Sequence, residues 1–201
     1  MRGALTLGVV LLAQLASLAE SAALAGGLTF VPGGLNPGTA ASAATVSFTS
    51  PTGISVGETV EITLPDLSTT HQTGFSVVAT PTIVVTTPAA GGGADPTGSA
   101  TATGRVITVT IGANAVAANA AFVFTISGVT NPSGITSGST TAAVAGTMAD
   151  TGSLTVSDIT AGTLGTTSFA TASATKTPGL IGDATVAFTT AGAVPIGARL
   201  C

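Results

Sequence analysis

His71, in the run LSTTHQTGF, is the one side chain suited to general-base chemistry near neutral pH. A base needs shaped, desolvated surroundings, and the Thr and Gln neighbours of His71 suggest an exposed loop instead. No spacing in the chain supplies it with a nucleophile and an orienting acid. With one His and one Cys, Cys201, a zinc set cannot be assembled. Glu58 and Glu61 stand three apart on an expected strand, so they point to opposite faces and cannot act as a pair. Asp66, Asp95, Asp150, Asp158 and Asp183 occur singly beside turn residues or strand ends, where Asp commonly bonds local backbone. Asp150, Asp158 and Asp183 flank an expected module boundary that calcium could stiffen, but no D-x-D-G loop accompanies them. Gly91-Gly92-Gly93 is followed by no lysine, so it reads as flexible loop and not as a phosphate cradle. The expectation is therefore no catalytic, cofactor-binding or metal-ligating residues, no cofactor, and no enzyme.

Threonine offers a second kind of chemistry. The pairs Thr101/Thr103 and Thr108/Thr110 put hydroxyls on one face of a strand, as ice- or sugar-binding surfaces do. Thr is also simply a good exposed strand residue, and the pairs stand isolated along the chain. Asn131 is followed by proline, and Asn36, Asn114 and Asn119 lack the hydroxyl residue of a sequon. Exposed Ser, Thr, Ala and Pro leave O-glycosylation open, which would help explain solubility at so low a charge.

Only 6% of the 201 residues are charged, against about 25% in an ordinary soluble domain. Mean hydropathy is +0.68. Such a core must be built from Val, Ile, Leu and seven Phe, because Trp and Tyr are absent. The four cations, Arg2, Arg105, Lys176 and Arg199, form no basic stripe, which excludes a nucleic-acid partner. The 27 Gly and 10 Pro punctuate short apolar runs without a Gly-X-Y period, the pattern of a turn-rich β protein.

Arg2, an apolar stretch across 4–18 and then Ala23-Leu24-Ala25 follow the order of a secretory signal peptide, with cleavage expected near Ala25. Gln14, Ser17 and Glu20 interrupt the stretch before the roughly 20 apolar residues that a membrane span needs. Export permits disulfides, yet Cys201 has no intramolecular partner.

Self-comparison divides the chain. ATVSFTSPTGISVGETVE at 44–61 aligns without gaps to ATVAFTTAGAVPIGARLC at 184–201, an offset of 184 − 44 = 140. Pro37-Gly38 echoes Pro178-Gly179, and AGGL at 25–28 echoes AGTL at 161–164. The expected organisation is a signal peptide at 1–25, a β-sandwich module at 26–160, and the truncated start of a second module at 161–201. So long a period implies whole domains in tandem.

Alternation predicts strands at 44–49, with Val46 and Phe48 inward, and at 59–64, with Val60, Ile62 and Leu64 inward. Further strands are predicted at 75–79, 82–86, 105–111, 121–127, 141–147 and 153–156, about eight in all. Phe122, Phe124 and Ile126 are expected to face the core. Turn chemistry separates them at Pro51-Thr52-Gly53, Pro65-Asp66 and 128–134, with a long flexible loop at 88–98. The predicted class is an all-β, immunoglobulin-like antiparallel sandwich followed by a partial second module. The tail at 161–201, lacking its partner strands, is expected to be poorly ordered or loosely docked.

ATVSFTSPTGISVGETVEITLPDL, VITVTIGANAVAANAAFVFTISGVTNPSG and ITAGTL resemble the tandem Thr/Gly-rich β-sandwich repeats of large secreted or cell-surface proteins of microbes and algae. The resemblance implies a fold and a role in adhesion, cell covering or stalks, with no site residue to carry over. The expected function is a non-catalytic extracellular structural or adhesive module, secreted or held at the cell surface. Its expected partners are neighbouring modules or matrix components, and glycans are the ligand class of the alternative, a carbohydrate- or ice-binding module.

Overall fold

A computed structural model describes residues 21–40, 42–70, 72–87, 97–136, 140–171 and 182–190. The chain is all-β. Its strands are β1 (Ala25–Val31), β2 (Ser42–Ser50), β3 (Thr59–Thr63), β4 (Ser76–Val77), β5 (Ile83–Thr87), β6 (Thr97–Thr103), β7 (Val106–Ala113), β8 (Ala120–Thr130), β9 (Thr141–Gly146), β10 (Gly152–Val156), β11 (Gly165–Thr171) and β12 (Ala184–Thr189).

The first ten strands form one hydrogen-bonded sheet in the order β4-β8-β2-β1-β10-β9-β3-β7-β6, with β5 also on β8. This sheet is nearly closed: Ala102 N donates to Ala79 O at 2.9 Å, and β5 lies against β6. Closure of this kind leaves little free strand edge. All pairings are antiparallel except β1 with β10, which run parallel at Thr29↔Thr155 and Phe30↔Val156. The sequence pattern predicts an antiparallel sheet, and the parallel β1–β10 pair departs from it.

Period-2 patterning places the core. Val46 and Phe48 on β2, Val60 and Ile62 on β3, Ile107, Val109 and Ile111 on β7, and Phe122, Phe124 and Ile126 on β8 are all buried and belong to one apolar cluster. Burying a side chain of this size contributes about 1.5–3 kcal/mol. The β2–β8 register sets Phe48 opposite Phe122 and Val46 opposite Phe124. The rings of Phe48 and Phe122 then meet edge-on at 5.7 Å, which aromatic quadrupoles favour. A second edge-on pair, Phe30 and Phe75 at 6.1 Å, ties β1 to the loop before β4.

The eight predicted strands all occur, with shifted ends; the 75–79 segment shortens to two residues. Two further strands, β1 and β6, raise the count in this sheet to ten. β6 takes in residues 97 and 98 of the predicted loop, while 88–96 lie outside the described residues. β11 and β12 form a separate two-stranded sheet and add nothing to the main ladder.

Candidate functional site

The register assembles what the linear chain keeps apart. On the outer face, Thr101 pairs with Thr108 and Thr108 with Glu61; Ser99 pairs with Thr110 and Thr110 with Thr59. Cross-strand partners share a face, so the pairs Thr101/Thr103 and Thr108/Thr110 belong to ranks that run over β6, β7 and β3. Ideal strand geometry spaces same-face residues about 4.8 Å across strands and about 6.7 Å along each, and Glu61 and Val106 interrupt the hydroxyls within these ranks. Thr59 extends the rank to Thr147: each backbone N–H donates to the other's hydroxyl, at 2.8 and 3.0 Å. The inner positions between them, Ala100, Val109 and Val60, turn to the core side.

Asp66 and Glu58 are engaged by near neighbours in the sequence. Asp66 Oδ1 accepts from Ser68 N at 3.1 Å and Ser68 Oγ at 2.5 Å, and Arg105 Nη2 stands 3.4 Å from Oδ2. These hydrogen bonds, and then the Arg105 charge, hold the Asp66 carboxyl below its ordinary pKa. Arg105 in turn donates from Nη1 to Leu64 O at 2.5 Å. A shallow cleft beside Asp66 is lined also by Ser68, Gln72, Pro132 and Ile135. Glu58 is not on a strand with Glu61: it sits in the turn ahead of β3, where it accepts from Ser55 N at 2.6 Å, while Glu61 is exposed on β3.

Asp150 is the exception, because it is fully buried. Its Oδ2 accepts from Ser50 Oγ in a short bond and from Thr52 N at 3.1 Å. Its Oδ1 has no hydrogen-bond partner. Burial pushes the carboxyl pKa up, and hydrogen bonds from Ser50, Thr52 and the Ala22 backbone outweigh it, leaving a net value below the usual range. Asp158 and Asp183 are exposed, and among the described residues no three of His, Cys, Asp and Glu come together as a metal site. His71, Asp95, Gly91-Gly92-Gly93 and Cys201 lie outside the described residues.

Asn131, part of the expected 128–134 turn, is also buried; its Nδ2 donates to Gly34 O at 2.5 Å and to Asn36 O at 3.1 Å. It pins the β1–β2 connection. Neither this clamp nor Asp150's burial carries a sequence signal, since each partner lies about a hundred residues away.

The class defined by these features is an all-β chain with a hydroxyl-rich outer face. Compared with known proteins, the chain matches no family model, no curated protein and no solved structure at a significant level.

Proposed function

We propose that the chain is a non-catalytic extracellular structural or adhesive protein built from tandem immunoglobulin-like β-sandwich modules. In this reading β4, β5, β8 and β2 make one layer and β10, β9, β3, β7 and β6 the other, with β1 bridging them. The supporting observation for the layers is that inward residues from both groups share a single core.

The observation that carries the tandem reading is the β11–β12 hairpin. Val186 pairs with Phe169 as Val46 pairs with Phe30, and Thr189 with Gly165 as Thr49 with Ala25. The offsets are 186 − 46 = 140 and 169 − 30 = 139, and both hairpins shift register ahead of the paired Phe, by two extra residues in β1 and one in β11. A repeated sequence with a repeated register is what a second module's opening hairpin supplies. Sparse charge and a Ser/Thr-rich exterior suit a spacer or cell covering, alongside the likeness to repeats of secreted and surface proteins. An antibody to the chain, applied to intact cells of the source and to their fractions, tests it: label in the covering or medium is expected, and confinement to the cytosol overturns it.

The threonine ranks over β6, β7 and β3 favour one second reading, recognition of an ordered polyhydroxyl surface such as a glycan or ice. Retention on immobilised polysaccharide or ice shaping, lost in Thr108→Lys, is its expected signature. A wild-type protein inert in both assays sinks it.

A further inference from the structure

Residues ahead of β1 are built into the sheet. Thr151 N donates to Ala22 O at 3.1 Å, Leu24 N donates to Thr151 O at 3.0 Å, and Ala23 bridges Thr151 in parallel register. Leu24 is 6% exposed and packs over Gly152, where an added Cβ would come within 3.0 Å of it. Removing a leader at Ala25 would strip a buried leucine and two ladder hydrogen bonds from the fold.

The same segment adjoins a buried acid that has hydrogen-bond donors but no charged partner among the described residues. Asp150 precedes the Thr151 that holds Ala22, is fully buried, and keeps Oδ1 without a partner. Among the described residues the only Lys or Arg is Arg105, which is engaged by Asp66 and Leu64 O. The donors on Oδ2 offset the cost of burying this carboxylate, and a counter-charge at Oδ1 would offset it further. The Thr151 N to Ala22 O hydrogen bond sets the Ala22 backbone against the residue next to Asp150.

We propose that the leader is cut at the Ser21–Ala22 bond and that the new α-ammonium of Ala22 becomes the counter-ion of Asp150. Ala19 and Ser21 supply the small residues that a signal peptidase requires three and one places before the cut. Water adds across the amide and the C–N bond breaks: its oxygen makes Ser21 the leader's carboxylate, and both its protons pass to the Ala22 nitrogen, which is charged at neutral pH. The inference rests on the reading of the chain as exported.

Two measurements separate its failure from that of export. First, the N-terminus of the protein recovered after export of the full chain is sequenced. Ala-Ala-Leu-Ala-Gly is expected; any other start in an exported product overturns the proposal while leaving export standing, and a product that keeps Met1 inside the cell overturns both. Second, chains made directly to begin at Ala22 and at Gly26 are melted side by side. The Ala22 form is expected to melt about 5–10 °C higher, as loss of a buried leucine in a chain of this size implies. Acetylating its α-amine is expected to lower that melting temperature, but not in an Asp150→Asn background. Equal melting of the two starts, or acetylation without effect, overturns the counter-ion.

Discussion

Two hairpins with similar pairing, β1–β2 and β11–β12, stand in opposite surroundings. In β1–β2, Phe30 and Val46 pair and both are fully buried; in β11–β12, Phe169 and Val186 pair in the same way and are 70% and 61% exposed. The difference lies outside the hairpins: β2 has β8 along one edge and β1 has β10 along the other, whereas among the described strands β11 and β12 pair only with each other. Pairing register is a local property of the segment, carried by its alternation and its bulge. Burial is supplied by the rest of a module. All five phenylalanines of the main sheet and its loops are buried, and neither of those in the second hairpin is.

Cutting the same ring from each environment should break the comparison most sharply. Phe124→Ala is expected to cost about 3–5 kcal/mol, as aromatic truncation in a core does. Phe169→Ala should cost less than about 0.5 kcal/mol, the usual effect at an exposed position. Urea titration of both variants reads the contrast, and similar costs would mean that the second hairpin is covered in solution.

Asp150 should come next, because no described residue of the second hairpin holds a buried acid. Asp150→Asn is expected to cost about 2 kcal/mol by leaving Ser50 and Thr52 poorly matched. The sign with pH follows from its lowered folded pKa. The unfolded chain takes up this proton first, so the contribution is present above the unfolded value near 3.9 and fades as pH falls through the folded pKa. In denaturation curves taken from pH 7 downward, the gap between wild type and variant should hold until about pH 4 and narrow below it, and a gap constant down to the acid limit would contradict this assignment.

Gly53 tests the turn that follows β2. Its φ is +83°, and a Cβ there would lie 2.7 Å from Val116 O and 2.9 Å from Ala118 N. Gly53→Ala should cost more than about 1 kcal/mol in thermal melts. At the position aligned to it by the 140-residue offset, 53 + 140 = 193, the sequence has alanine.

The smallest effect should come from ending the chain after Thr160. Melting of the main sheet is expected to stay within about 2 °C. Amides of β11 and β12 should exchange fast in the intact protein. A large drop, together with protected amides across β12, would show that the second hairpin supports the first module.

Alternation made β2, β3, β7 and β8 legible in the sequence, because each carries large apolar residues at every second position. β6 was hidden: TGSATAT has only Ala100 and Ala102 for its inner face, and neither marks a strand by size. β1 was obscured by Gly26 and Gly27 and by its position at the end of the apparent leader. The threonine ranks could not be read linearly, since β3 and β7 meet across more than forty residues and only their register aligns Thr59 with Thr110. Asp150 looked like any turn aspartate, because Ser50, which buries it, lies 100 residues away.

The parallel pairing of β1 with β10 also decides how a module would carry tension. The strand that begins the module and the strand that ends it lie side by side and point the same way. In an array of such units, neighbours would pull β1 backward and β10 forward along their common axis. The hydrogen bonds around Phe30, Thr155 and Ser157, the last donating from its nitrogen to Phe30 O at 3.0 Å, would then be loaded in shear and would have to fail together. An antiparallel arrangement of the same two strands would bring both points of attachment to one end and let the bonds peel apart singly. Rupture under force is governed by the unfolding barrier and not by equilibrium stability. A fold with few charges and no disulfide within its main sheet could thus resist stretching well beyond what its melting temperature suggests.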